Sequence, residues 1–152
     1  MIKSCISSKD FEKATQIAID YLEWLNMDLA YQGVDSELDS LEEMYGAPKG
    51  CFLLAYVEND FVGGVGLRKL EKGVCEMKRL FVYPKFQKCG IGEMLCKRII
   101  GEAKLLGYRS MKLDTVAKLK SAIKLYEKLG FKETEAYCEN PDETARFFEF
   151  KL

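Results

Sequence analysis

Residues 87–92 read Gln-Lys-Cys-Gly-Ile-Gly, between the apolar run 80–84 (Leu-Phe-Val-Tyr-Pro) and the segment 93–100 (Glu-Met-Leu-Cys-Lys-Arg-Ile-Ile). A strand is expected to end near Tyr83, with Pro84 breaking it and a glycine-punctuated loop opening into a helix. The chemistry this arrangement suits is the binding of a bulky anion. Gly90 and Gly92 carry no Cβ, so the backbone can take unusual φ/ψ values and let the anion reach its N–H groups. The first N–H groups of a helix lack intrahelical partners, and the helix dipole adds partial positive charge there. Phosphates fit such a site best, and Lys88 supplies a mobile cation beside it. Two glycines one residue apart equally permit a plain tight turn. The loop lacks GxGxxG spacing, and no GKS or GKT follows, which argues against a dinucleotide fold and a P-loop.

The remaining chemistry is bounded by what is missing. The chain has no histidine, which removes His triads, His metal ligands and His general bases; no metal is expected. Acid–base work must come from carboxylate, tyrosine, cysteine, lysine or water. The six cysteines are scattered with no CxxC pair, and there is no secretory signal or long apolar span, so reduced thiols in a cytoplasmic protein are expected. Basic and acidic residues balance at 23 against 24, which argues against nucleic acid or an anionic membrane as a partner. With 152 residues and 48% hydrophobic content, the chain can bury a full core as one domain spanning 1–152.

The elements that must position the loop follow from periodicity. Residues 2–6 alternate as a first strand. Ser8 is the expected N-cap of a helix with Phe11, Ala14, Ala18, Tyr21, Leu22 and Leu25 on its apolar stripe. Residues 26–33 read as a break. Ser36 and Asp39 suggest a capping box for a short helix that buries Leu38, Leu41 and Tyr45 and stops at Gly46 and Pro48. Residues 51–57 form a nearly continuous apolar strand, covered on both faces. A turn at 58–60 leads to a strand over 61–70, in which Gly63, Gly64 and Gly66 weaken pairing or mark close backbone approach. A second turn at Lys72-Gly73 leads to the strand 74–83, completing an antiparallel meander. The helix after the loop has Ile91, Leu95, Ile99 and Ala103 on its stripe, with Met94 and Leu106 beside them, and Gly107 closes it. Residues 110–115 must then run parallel to the preceding strand across that helix. Leu119, Ala122, Ile123, Tyr126 and Leu129 mark another helix, stopped by Gly130, and residues 131–136 and 146–152 are the last strands. The expected class is α/β (α+β) with a mixed sheet.

The Gln-x-x-Gly-x-Gly loop after Leu-Phe-Val-Tyr-Pro, together with residues 122–131 (Ala-Ile-Lys-Leu-Tyr-Glu-Lys-Leu-Gly-Phe), resembles the GNAT superfamily of acyl-CoA-dependent N-acyltransferases. The element order is similar over nearly the whole chain. The resemblance implies a central mixed sheet with helices on both faces and a splayed pair of parallel strands. It implies that backbone amides of Lys88, Cys89, Gly90, Ile91, Gly92 and Glu93, with Gln87 opening the loop, hold the pyrophosphate of acetyl-CoA. It places Leu80, Phe81 and Val82 along the pantetheine arm. Family members often carry Asn shortly before the second motif; here the stretch is Ala117-Lys118-Leu119-Lys120-Ser121, so Ser121 or Lys120 is the expected substitute.

Acyl transfer to an amine needs a neutral amine, a polarised thioester and a protonated leaving thiol. The resemblance makes Tyr126 the acid for the thiolate, although its place on the stripe with Leu119, Ala122 and Leu129 by itself reads as core. Glu76 is the expected base, sharing strand parity with Lys78, Leu80 and Val82; a solvated pair with Lys78 or Arg79 is the competing reading, and a water chain could serve instead. Cys89 reads as a small filler, since direct transfer needs no covalent cysteine. Asp28, Tyr31, Gln32, Arg68, Tyr137 and Asn140 are candidates for the amine pocket. The expected activity is acetyl transfer from acetyl-CoA to a primary amine of a small molecule. The alternatives are a protein or peptide amine as acceptor, and a non-catalytic acyl-CoA-binding regulatory module. A homodimer is compatible with this sequence.

Overall fold

The computed structural model describes residues 1–25 and 41–152. The break at 26–33, the expected capping box at 36–39, and Asp28, Tyr31 and Gln32 lie outside the described residues. The elements in chain order are β1 (Ile2–Ser4), α1 (Ser8–Leu25), α2 (Leu41–Tyr45), β2 (Cys51–Val57), β3 (Asp60–Glu71), β4 (Val74–Val82), a 3-10 turn (Pro84–Phe86), α3 (Ile91–Leu105), β5 (Ser110–Val116), α4 (Lys120–Leu129), β6 (Lys132–Thr134) and β7 (Ala145–Lys151). The strands make one mixed sheet in the order β1-β2-β3-β4-β5-β7-β6. β2, β3 and β4 form the expected antiparallel meander. The α3 crossover allows β5 to return parallel to β4.

Period-two alternation divides the strand side chains between two layers of helix. Phe52 and Leu54 of β2 pack with Phe11, Ile17, Leu41 and Tyr45 from α1 and α2. Leu53 and Ala55 pack in the opposite layer with Leu95 and Ile99 of α3 and Ile123 and Tyr126 of α4. The glycines of β3 mark close approach: a Cβ on Gly66 would lie 2.7 Å from Tyr45 Cε1, and one on Gly64 2.9 Å from Phe52 Cε1. The α3 stripe differs from expectation at its edges. Cys96 and Ile100 are buried beside Leu95, Ile99 and Ala103, whereas Met94 is 53% exposed and Leu106 39%. Ser7, rather than Ser8, caps α1. Its Oγ accepts from Asp10 N at 3.2 Å, and Asp10 Oδ2 accepts from Ser7 N at 3.1 Å and Ile6 N at 3.0 Å, a reciprocal box.

One irregularity shapes the centre of the sheet. Gly66 pairs with Lys78 but Gly64 pairs with Phe81, so Arg79 and Leu80 together oppose Val65. Arg79 holds φ +59, the left-handed conformation of a bulge residue. The extra residue reverses the side-chain alternation. Cys75, Met77, Leu80 and Val82 face α3 and α4, while Phe81 faces α1. The expected shared parity of Glu76 with Leu80 and Val82 is therefore lost, because the bulge lies between them. No described helix is long and apolar enough to cross a membrane.

Candidate active site

Parallel pairing of β4 with β5 covers only Val74↔Ser110, Cys75↔Met111 and Glu76↔Lys112. Past Glu76 the bulged strand bends away, and its 77–82 backbone has no β5 partner. β5 itself stays paired with β7 as far as Val116. A cavity of about 470 Å³ occupies the opening, walled by residues 77–82 and 113–115.

One end of the cavity carries two helix N-termini and cationic side chains, a geometry that can receive an anion. Gly90 caps α3 with φ +83, a conformation that favours glycine, and no side chain caps the N-terminus of α3 or that of α4. Both helices therefore present uncapped N–H groups, with Gly90, Gly92, Lys88, Lys120 and Ser121 on the cavity wall. A Cβ on Gly92 would meet nothing nearer than Leu125 Cδ2 at 3.8 Å, so that glycine keeps space open rather than relieving a clash. Gln87 lies on the wall, and its Nε2 donates to Val82 O at 2.8 Å, which ties the loop to the end of β4. Glu93 bridges Lys128 at 2.5 Å and Lys97 at 3.4 Å, and these bonds hold its carboxyl below the usual range, the Lys128 bond most strongly. It thereby joins the start of α3 to the end of α4. Every residue expected along the cosubstrate lines the cavity except Cys89, which is exposed, and Ile91, which packs on the core.

Tyr126 comes from α4 and is both core and wall. Its ring centroid lies 5.7 Å from Phe131 and 6.3 Å from Phe148, while the residue also lines the cavity. Burial, followed by the Cys96 thiol, raises its phenol well above the ordinary value, so it stays protonated. Across the opening, α1 contributes Tyr21, pushed to about 12 chiefly by burial, and Trp24. Both rings pack on Phe81, at 5.6 and 5.4 Å between centroids. Tyr83 fixes that helix by donating to Asp20 Oδ2.

Glu76 is placed differently from a solvated strand carboxylate. It is 1% exposed, Arg68 Nε donates to its Oε1 at 2.8 Å, and Tyr137 donates to its Oε2 at 2.6 Å. Burial and then the Glu76 charge raise the Tyr137 hydroxyl far above its usual range. Lys112 Nζ sits 5.5 Å from the Tyr137 ring centroid, and Phe147 packs edge-on against that ring. Glu76 is thus absent from the cavity wall, whereas Asp114 of β5 lies on it. Asp114 Oδ2 accepts from Asn140 Nδ2 at 3.2 Å and from Cys138 Sγ at 3.8 Å. Three of the amine-pocket candidates, Arg68, Tyr137 and Asn140, therefore gather around these two carboxylates. Sequence reasoning missed Asp114 and Trp24. A charged residue in the middle of a parallel strand was the available signal for Asp114, because such strands are normally covered on both faces.

A mixed sheet parted between two parallel strands, with two helix N-termini at one end of the gap, is the architecture of an acyl-CoA-binding transferase. The model of the acetyltransferase (GNAT) family matches residues 18–131, and the chain belongs to that family. It is an acetyl-CoA-dependent N-acyltransferase. An uncharacterized N-acetyltransferase of Schizosaccharomyces pombe is 40% identical over 88% of this chain and 83% of its own. The N-acetylaspartate synthetase of Danio rerio is 36% identical over 67% of this chain and 38% of its own. A GNAT acetyltransferase of Elizabethkingia anophelis solved with acetyl-CoA bound superposes with a TM-score of 0.71 at 26% identity, over 100% of this chain and 97% of the other.

Proposed function

We propose that this protein moves the acetyl group of acetyl-CoA directly to the primary amine of a small molecule. The observation that carries the reading is the cavity, which joins the uncapped ends of α3 and α4 to a buried, protonated Tyr126 beside unpaired β4 backbone. The helix ends bind the pyrophosphate, the backbone of 80–82 pairs with the pantetheine amides, and a β4 N–H polarises the thioester carbonyl. Tyr126 protonates the departing thiolate. A phenol with a raised pKa can do so because a thiolate formed in the same surroundings is also strongly basic; burial pushes the neighbouring Cys96 thiol to about 12. Glu76, with both oxygens engaged, acts as the buried anion that fixes Arg68 and Tyr137. No cysteine lines the cavity among the described residues, in keeping with direct transfer. The acetylated amino acid in the name of the Danio rerio relative supports a small acceptor. The free cysteines support a cytoplasmic setting.

The test follows free CoA thiol while acetyl-CoA is offered with α-amino acids, polyamines, aminoglycosides and peptides with free N-termini. Thiol release above the hydrolysis background with small amines is expected. Turnover of peptides alone would overturn the choice of acceptor, and tight acetyl-CoA binding with no turnover on any amine would favour a regulatory module. Acetyl-CoA at a hundredfold excess over its Kd should stabilise the fold by about 2.7 kcal/mol, or roughly 5–10 °C. A matched pantetheine fragment, lacking the pyrophosphate, should do far less.

A further inference from the structure

The acetyl-transfer reading leaves open what kind of amine is received, and the cavity wall carries that point further on the assumption that the reading holds. We propose that the acceptor carries a flat apolar body, in the simplest case an aromatic ring, which stacks on Trp24 and sets acceptor specificity. The parted strands make the cavity a passage through the sheet. Tyr126 and the starts of α3 and α4 belong to one layer, whereas Tyr21 and Phe81 belong to the layer of α1. A cosubstrate whose pyrophosphate sits on those helix starts therefore meets its acceptor from the α1 side.

That side is aromatic because of the bulge. Plain alternation from Cys75 and Met77 would send Phe81 towards α3, and the extra residue turns it to α1 instead. Trp24 lies over Phe81 at 5.4 Å between centroids and stacks on Tyr21 at 6.4 Å and 29°. Phe81 is buried, but Trp24 is 45% exposed. Of the large apolar side chains exposed among the described residues, Trp24 alone stands on the cavity wall. An open indole on the wall of a ligand cavity is surface that a bound ring would cover.

Two ties fix this shelf. Tyr83 donates to Asp20 Oδ2, and Lys118 Nζ donates to the Leu25 carbonyl, which pins α1 to the end of β4 and to the loop ahead of α4. Leu25 and Val116 are buried together at the second tie, with Leu119 packed on them. A surface already rigid loses little freedom when a ligand covers it. The charged groups nearby point the same way. Lys78 and Arg79 are buried and both have partners. Lys118 is bonded to Leu25, and Asp114 accepts from Asn140 and Cys138. With these groups engaged within the protein, aromatic area is the surface left among the described residues to tell one amine from another.

The chain has one tryptophan, so its emission reports on this position alone. The test compares phenylbutylamine with butylamine, the same chain without the ring and of nearly equal basicity. With CoA bound, which has no acetyl group to give, phenylbutylamine should change Trp24 emission saturably and butylamine should not. In turnover with acetyl-CoA, phenylbutylamine should exceed butylamine in kcat/KM by at least about tenfold, the order that a stacked ring supplies. W24A should bring the two amines together through a rise in KM for phenylbutylamine, while W24F, which keeps a ring, should retain most of the preference. A general disturbance of α1 would lower both amines alike and leave their ratio as in wild type. Equal kcat/KM for the two amines in wild type, no emission change with phenylbutylamine, or a ratio that survives W24A would overturn the proposal and leave the acetyl-transfer reading standing. A saturable emission change without turnover of any amine would instead overturn the acetyl-transfer reading and leave Trp24 as a ligand site.

Discussion

Tyr126→Phe separates the two roles of one side chain. Phe keeps the ring and its packing against Phe131 and Phe148, and the hydroxyl that it loses makes no hydrogen bond among the described residues. The folding cost should stay below about 1 kcal/mol, a fall of at most roughly 2–4 °C in Tm for a chain of this size. The same hydroxyl is the proposed proton source for the leaving thiolate. Its removal should slow transfer roughly 10²–10⁴-fold, or about 2.7–5.5 kcal/mol of transition-state stabilisation, with the affinity for acetyl-CoA unchanged. The assay is a single-turnover measurement, which excludes product release, beside a thermal melt and a CoA titration. Burial raises the Tyr126 pKa, so its protonated form persists to alkaline pH, and the wild-type rate should show no fall from this group below about pH 10. A Phe variant that transfers at the wild-type rate would refute the assignment. An alkaline fall in wild type near pH 8 that the Phe variant lacks would refute the raised pKa of the phenol.

At the anion end, Gly90→Val and Gly92→Val should weaken CoA binding more than folding. The first forces a β-branched residue to φ +83, and the second fills the space kept open beside Leu125 and Val82; a folded Gly92→Val variant with a normal CoA titration would show that the pyrophosphate lies elsewhere. At the capping box, Ser7→Ala should cost about 1 kcal/mol in a urea melt, and a cost near zero would mean that the cap contributes nothing to α1. The Asp10 carboxyl is held below its usual range, first by the Ile6 and then by the Ser7 backbone N–H. Its contribution is present above the unfolded pKa near ~3.9 and lost as pH falls through the lower folded value, so the stability gap between wild type and Asp10→Asn should shrink below about pH 4. A gap constant from pH 7 to pH 3 would refute that account.

Much of the fold follows from short-range rules that residues carry with them. Alternation along 51–83 and tight turns at 58–60 and 72–73 specify a meander, and a helical stripe between two strands requires a parallel return. The loop geometry of the proposed anion end was legible for the same reason: a helix N-terminus behind a glycine is local backbone geometry, so six consecutive residues hold most of it. The proposed catalytic face obeys other terms. Where the β4–β5 pairing stops depends on a one-residue bulge, and the residue at its centre is Arg79, which no turn rule marks as left-handed. That bulge turns Glu76 and Leu80 to opposite faces, and alternation counted along the chain cannot see it. The partners of Glu76 lie 8 and 61 residues away, brought together by a hairpin and by the loop before β7. Asp114, a charged residue in the middle of a parallel strand, becomes cavity wall only because the neighbouring strand has bent away. Sequence periodicity specifies which side of a strand a residue takes, but whether that side meets solvent, core or a gap is decided by the other strands.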